Sequence, residues 1–316
     1  MPESHDGSAL NPGHRCGIVA ILGPPNAGKS TLLNRFLGEK LAIVTPKPQT
    51  TRNRISGILS QEDAQIIFLD TPGIHHSTQT LNAFLVETAW QALESADCIL
   101  FLLDASKYRS SLHRLQRDLA NFRQRLSSAS LPVVVAINKI DLVREKPQLL
   151  PIMEAASDFA SERDIHLVSA RQGLGTQELL DEIKALLPQA PPLYPADQLS
   201  NLPLHFLASE IIREKLFFSL EQELPYATAV SIERWQELPE EGRVFISGLI
   251  YVAKSNHKKM IIGRKGQHLK AIGVQARQEL ERMLEMPVHL ELWVKVKPGW
   301  TEDRRFLLQL TPQGGL

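Results

Sequence analysis

Gly23 to Ser30 reads GPPNAGKS, a match to G-x-x-x-x-G-K-S/T, and Thr31 adds a second hydroxyl. Glycines at this spacing let backbone N–H groups turn inward around phosphate oxygens. Pro24, Pro25, Asn26 and Ala27 fill the loop between Gly23 and Gly28. Lys29 is placed to reach the outer phosphates of a nucleotide, and Ser30 to ligate Mg²⁺. The surroundings suit the motif. The apolar run RCGIVAIL (15–22) precedes it, and an amphipathic stretch follows, so a helix N-terminus faces the same anion.

The phosphate loop does not choose between ATP and GTP. Asn138, Lys139, Ile140 and Asp141 (NKID) do, directly after the run PVVVAI. A carboxylate at Asp141 accepts from both the ring N–H and the exocyclic amine of guanine. Adenine offers an acceptor there and leaves the carboxylate unpaired, which such sites reject strongly. Asn138 supports the base edge and the phosphate loop, and the Lys139 stem lies on a base face. Asp70, Thr71, Pro72 and Gly73 (DTPG) end the run AQIIFLD. Asp70 is placed to hold Mg²⁺ through water, and the Gly73 N–H to sense a γ-phosphate. Ser169 and Ala170, at the end of HLVSA, back the guanine.

These groups need a scaffold that gathers strand ends. Five apolar runs, RCGIVAIL, AQIIFLD, DCILFLLD, PVVVAIN and HLVSA, alternate with helical stretches such as 81–94 and 147–162. The pattern predicts an α/β domain over 15–187, a mostly parallel sheet with helices on both faces. Its ligands sit beyond the strand carboxyl ends, where every motif above falls. Residues 188–204 are proline-rich and read as a linker. Residues 205–300 give helix, strand, strand, helix, loop, helix, strand, an α+β order. A loose tail is expected over 1–14, and a C-terminal helix and tail over 301–316. Cys16 and Cys98 lie inside apolar runs and read as buried thiols suited to a reducing cytoplasm. No apolar run reaches the ~20 residues of a membrane helix, and the N-terminus lacks the pattern of a signal peptide.

The second domain holds its own anion signal. From Arg243 to Gln278 there is no acidic residue, in a chain with 35 basic and 35 acidic residues. Within that stretch Gly263, Arg264, Lys265 and Gly266 form a GRKG loop between two apolar-periodic stretches. Lys258, Lys259, Ile262 and Lys270 flank it. A G-x-x-G loop clamps a single-stranded nucleic acid backbone, and the basic flanks suit phosphates. Anionic lipid headgroups would attract the same lysines.

The first-domain motifs resemble those of the translation-factor-related GTPases. Thr50 and Thr51, in KPQTTRNR, then fall where such enzymes keep the threonine that joins Mg²⁺ in the GTP state; either of the two fits. Ile74 stands beside the nucleotide where many GTPases have the water-orienting glutamine, so another group must serve. In several such enzymes that lack this glutamine, an asparagine at the position of Asn26 holds potassium. Asn26 either does so or only braces the loop. His75 and His76, next in the chain, read as solvated side chains. Joined to GRKG in a type II KH arrangement, and with ASEIIREKL, ELPYA, LKAIG and PVHLELWVKVKPGW, the chain resembles the Era family of bacterial GTPases. Pro24 and Ala27 depart from residues common there, without removing a chemical group.

The resemblance implies a P-loop GTPase domain followed by a type II KH domain. It implies Mg²⁺-dependent GTP hydrolysis with a slow basal rate, in which Asn26, Lys29, Thr50, Thr51 and Gly73 act on the phosphates. It further implies binding of 16S rRNA near its 3′ end, a role in 30S subunit assembly, and a cytoplasmic location partly peripheral on the cell membrane. DNA is not among the expected partners. Two other readings stand beside it: a membrane-associated signalling GTPase, and a constitutive RNA-binding scaffold with a structural nucleotide.

Overall fold

The computed structural model describes residues 13–45, 47, 50–73, 80–109, 111–157 and 165–311. Packing divides the chain into two units that are not contiguous in sequence. The first holds residues 1–39, 56–70 and 91–200; the second holds 40–55, 71–90 and 201–316.

The first unit is built on a six-stranded sheet: β1 (Arg15–Leu22), β2 (Ile55–Ser60), β3 (Ala64–Asp70), β4 (Cys98–Asp104), β5 (Val133–Asn138) and β6 (Ile165–Leu167). The spatial order is β2-β3-β1-β4-β5-β6. β1 runs parallel to β3 and β4, and β5 parallel to β4 and β6. β2 and β3 are joined by three residues, a connection open only to an antiparallel pair. β3 and β4 are buried along their whole length, which is why they read as continuous apolar runs. β2 was not apparent as a strand: ISGILS is short and interrupted by glycine and serine.

The helices of this unit are α1 (Lys29–Leu37), then, beyond α2 (Thr80–Gln91), α3 (Ala105–Tyr108), α4 (Leu112–Ser128), α5 (Leu150–Ala156) and α6 (Thr176–Leu186). Phe36 on α1 stacks on Phe68 of β3, with ring centroids 5.1 Å apart. Another core cluster joins Cys16, Ala20, Ile58, Ile67 and Leu69 to Ala92 and Ala96. Where one helix was expected over 147–162, a 3₁₀ turn (Lys146–Leu149) leads into α5. Pro147 and Pro151 begin these two segments, as proline's fixed φ favours. Residues 158–164 lie outside the described residues. Cys16 and Cys98 are free and buried, and burial raises the Cys16 thiol above its usual range.

The second unit contains α2, α7 (Leu204–Ser219), β7 (Thr228–Leu238), β8 (Arg243–Val252), α8 (Ser255–Ile262), α9 (Gln267–Leu284), β9 (Val288–Val296) and α10 (Arg304–Gln309). β7 and β8 are antiparallel with a bulge between Ile232 and Arg234, and β8 and β9 are parallel. β8 alternates buried and half-buried residues, the period of a sheet covered on one face. Ile212 and Leu216 of α7, Ile272 and Ala276 of α9, and Ile250 and Val294 share the core. The element order is the one expected for a type II KH domain. Leu81 and Phe84 of α2 pack on the cluster of Ala229, Trp300, Phe306 and Leu307. Among the described residues, no helix is long and apolar enough to cross a membrane.

Candidate functional site

In the first unit the phosphate loop connects β1 to α1. Gly28 adopts φ 99°, and a Cβ there would lie 2.2 Å from Asn138 Nδ2. Only glycine fits that approach. Asn26, at φ 62°, is also left-handed, a region asparagine tolerates better than most residues. Lys29 opens α1 and is 6% exposed. Its Nζ donates to the carbonyls of Gly23 and Pro24, both at 3.2 Å. Burial lowers the Lys29 pKa to about 8, against the raising effect of Asp70, while Lys139 lowers it further. An anion in the loop would restore the charge.

Ser30 Oγ donates to Asp70 Oδ2 at 2.6 Å, and Asp70 is fully buried at the end of β3. A hydroxyl and a carboxylate held together are hard oxygen donors that suit Mg²⁺. Ser30 would hold the ion directly, and it would neutralise phosphate charge there.

The base-reading loop is tied to the phosphate loop by side chains. Asn138 Nδ2 donates to the Ala27 carbonyl at 2.9 Å, and Asn138 Oδ1 accepts from the Ala170 N–H at 2.9 Å. Ser169 Oγ donates to Asp141 Oδ1 at 2.7 Å, which orients the carboxylate. Lys139, itself at φ 65°, donates from Nζ to the Asn26 carbonyl at 2.5 Å and to Asp104 Oδ2 at 2.6 Å. The structure thus gathers Gly23–Thr31, Asp70, Asn138–Asp141, Ser169 and Ala170 as the spacing implies.

In the first unit two residues escaped the sequence reading. Asp104 ends β4 and holds Lys139; its signal was a carboxylate closing a buried strand, DCILFLLD. Arg35 of α1 donates to the carbonyls of Ala170 and Arg171 at 3.1 and 2.6 Å, bracing the same loop. Nothing local distinguishes Arg35 from a solvated helix charge.

Thr50, Thr51, Thr71, Pro72 and Gly73 belong to the second unit. Thr50 and Thr51 are each 8% exposed. Thr50 Oγ1 donates to the Lys47 carbonyl at 2.8 Å and shares a 2.7 Å hydrogen bond with Thr45 Oγ1. Ile74, His75 and His76 lie outside the described residues.

The GRKG loop of the second unit joins α8 to α9, as expected. Gly263 has φ 72°, and a Cβ there would meet His268 Cβ at 2.6 Å. Lys265 is also at positive φ, and Arg264 and Lys265 are exposed. Lys259 and Lys270 are exposed, and Lys258 and Ile262 half-buried. Beside the loop runs a groove of about 340 Å³ lined by Gly266, Leu269, Lys270, Gly273, Val274, Arg277, Leu290 and Leu292. Its apolar floor and basic rim suit bases and phosphates of a single strand. Gly273 and the β9 leucines were not singled out beforehand; a glycine inside the helical run LKAIGVQA was the available sign.

Comparison with known proteins agrees with this geometry. A family model described as a 50S ribosome-binding GTPase matches residues 18–139, and one described as a KH domain matches 223–301. GTPase Era from Nitratidesulfovibrio vulgaris (strain DSM 19637 / Miyazaki F) is 52% identical over 299 residues, covering 94% of this chain and 97% of the relative. GTPase Era from Geobacter metallireducens is 44% identical over 296 residues, covering 94% and 97%. Among solved structures, an Aquifex aeolicus Era variant bound to GDP·AlF4⁻ matches with TM-score 0.87 and 42% identity, over 94% of this chain and 98% of the other. Era in complex with MgGDPNP and nucleotides 1506–1542 of 16S ribosomal RNA matches with TM-score 0.88 and 41% identity, with the same coverage. The chain belongs to the Era family of GTPases, with a P-loop GTPase domain and a C-terminal KH domain.

Proposed function

We propose that this protein is a GTP-hydrolysing switch that binds 16S rRNA near its 3′ end through the KH groove and acts in 30S subunit assembly. The observation that carries the reading is the pairing of two sites in one chain. One is a guanine-reading carboxylate, Asp141, oriented by Ser169 beside a phosphate loop. The other is the basic GRKG loop at the end of a groove with an apolar floor and the basic residues Lys270 and Arg277.

The chemistry proposed for the first site is transfer of the γ-phosphoryl group to water. Lys29 and the loop N–H groups offset charge that grows between the β- and γ-phosphates. Ser30 would hold Mg²⁺ directly and Asp70 through water, and Thr50 or Thr51 would join them in the GTP state. Asn26, exposed at the loop tip, is the candidate for holding K⁺ beside the phosphates. Peripheral contact with the cell membrane, through the same lysines, belongs to this reading as a secondary property.

Two measurements test it. RNA affinity for nucleotides 1506–1542 of 16S rRNA is compared with GDP and with a non-hydrolysable GTP analogue. A higher affinity in the GTP state supports the switch, and equal affinities indicate a constitutive scaffold. Asp141→Asn, whose amide cannot accept both guanine donors, is expected to transfer preference from guanine to xanthine nucleotides. Discrimination of this kind reaches about 10⁴, and unchanged GTP binding in competition would remove Asp141 from the base-reading role.

A further inference from the structure

Arg52 follows Thr50 and Thr51 directly, yet it is 8% exposed and points into the second unit. Its Nη1 donates to the Thr228 carbonyl at 2.6 Å. Its Nη2 donates to the carbonyls of Pro225 and Tyr226 at 3.1 and 3.0 Å. The guanidinium lies 5.6 Å from the Phe217 ring centroid and 6.0 Å from that of Trp300. One side chain thereby fixes the turn that leads into β7. The neighbouring segment is anchored as well: Lys40 Nζ meets Glu214 Oε2 at 2.6 Å, and Lys47 donates to the carbonyls of Phe217 and Leu220 at the end of α7.

This is an expensive way to make a merely structural contact. Among the described residues no carboxylate bonds Arg52. Glu210, which lines the same cavity as Arg52, is committed to Arg213 through two hydrogen bonds. Arg213 and Trp300 line the adjoining cavity of about 30 Å³, and among the described residues Arg213 Nη1 and Trp300 Nε1 are buried donors without a hydrogen-bond partner. An apolar side chain would hold the segment at lower cost than a buried charge. A contact built on hydrogen bonds, which another arrangement of the same carbonyls could exchange, suits one half of a two-state element.

The path from Arg52 to the RNA loop is short. Thr228, the first residue of β7, pairs with Val252, the last of β8. α8 starts at Ser255, three residues after Val252, and ends at the GRKG loop. On the other side, the Thr50 hydroxyl is engaged with Thr45 and Lys47. Its proton and one lone pair are thus used, and an ion would engage the other lone pair.

We propose that Arg52 is the positioning residue that transmits nucleotide state to the KH fold: movement of Thr50–Thr51 on gaining or losing Mg²⁺ shifts the guanidinium and, with it, the start of β7 and the paired end of β8. The proposal rests on the reading that one of these threonines meets nucleotide-bound Mg²⁺ and that RNA affinity follows the nucleotide.

The test compares wild type, Arg52→Met and Arg52→Lys for binding an RNA of nucleotides 1506–1542 of 16S rRNA, with MgGDPNP and with MgGDP. The wild type is expected to show an affinity ratio between the two states of about 5- to 150-fold. Both variants should bring the ratio close to one while each still binds MgGDPNP and RNA. Lysine fails because one ammonium cannot reproduce a planar three-carbonyl contact. Variants that keep the wild-type ratio overturn the role of Arg52 and leave the switch reading intact. A wild-type ratio of one overturns the switch reading and the proposal with it. Amide exchange in the wild type gives a measure that needs no variant to fold. Protection at residues 227–229 and 252–255 should differ between MgGDPNP and MgGDP, and identical protection overturns the transmission.

Discussion

The side-chain amide of Asn138 donates to the carbonyl of Ala27 at 2.9 Å, tying the end of β5 to the phosphate loop 111 residues earlier. The same side chain accepts from Ala170, so one residue holds three loops in register. Asn138 is 2% exposed, and Ala27 and Ala170 are buried beside it. Removing the amide leaves a buried carbonyl and a buried N–H without partners. Asn138→Ala is therefore expected to cost about 2 to 4 kcal/mol of stability, read by chemical denaturation, together with a loss of GTP affinity. Asn138→Asp should fare no better, because a carboxylate cannot donate to Ala27. Wild-type stability in both variants would show that the loops are held elsewhere.

Lys29 gives nucleotide binding a pH signature. With no phosphate present its pKa is about 8, lowered chiefly by burial. A bound phosphate chain favours the charged form and raises that value. Below about pH 8 the ammonium is protonated in both states, and affinity is flat. Above it, the free protein loses the proton while the complex keeps it, so binding takes up a proton and weakens by up to about tenfold per pH unit. GDP titrations from pH 7 to 9.5 check this, and calorimetry in two buffers of different ionisation enthalpy counts the proton. A flat profile across the range would show that Lys29 stays charged without nucleotide.

What the sequence reveals here depends on how local each signal is. GPPNAGKS, DTPG, NKID and GRKG each put their chemistry within a few consecutive residues, and the folds around them follow from the alternation of buried runs. Asp104, Arg35 and Arg52 act through partners far along the chain, up to 176 residues away for Arg52. In TTRNR an arginine two residues from another has the look of a solvated charge, and nothing in the string says that three carbonyls wait for it. The docking of segments 40–55 and 71–90 into the second unit is invisible for the same reason. Gly273 is the intermediate case. A glycine inside a helix costs about 1 kcal/mol against alanine, so its presence in α9 asks for a reason, which the groove supplies.

That groove yields a steric prediction separate from charge. A Cβ on Gly273 would stand 3.6 Å from Leu292 Cδ1, an ordinary contact, so α9 tolerates a side chain there. Gly273→Leu projects into the groove beside Lys270 and Arg277 and should block the bases while leaving GTP affinity unchanged. Reversing the loop, with Arg264→Asp and Lys265→Asp, should abolish RNA binding by placing anions where the backbone passes. Neutral replacements of Lys258 and Lys259 should instead flatten the salt dependence, by about 0.7 log units per lost phosphate contact for a single strand. Filter binding across a salt series separates the three effects. RNA affinity that survives the loop reversal would place the RNA elsewhere on the protein.

Asn26 carries the remaining question, how the phosphates are served when the residue after Gly73 is Ile74. An apolar side chain cannot orient water. Some other group must offset the charge that develops between the β- and γ-phosphates. The Asn26 backbone is held from below: its carbonyl accepts from Lys139, which Asp104 anchors in turn. Its left-handed φ of 62° places an exposed amide at the tip of the phosphate loop. A side-chain carbonyl fixed there is a suitable ligand for a monovalent cation. Potassium is therefore expected to accelerate GTP turnover relative to sodium at equal ionic strength, and Asn26→Ala should remove the difference while preserving GTP binding. Asp104→Asn should weaken the effect without abolishing it, since it loosens Lys139 and, through it, the loop tip. Turnover assays in the two salts decide the matter: equal wild-type rates would make Asn26 a brace for the loop and leave charge compensation to Lys29 and Mg²⁺ alone.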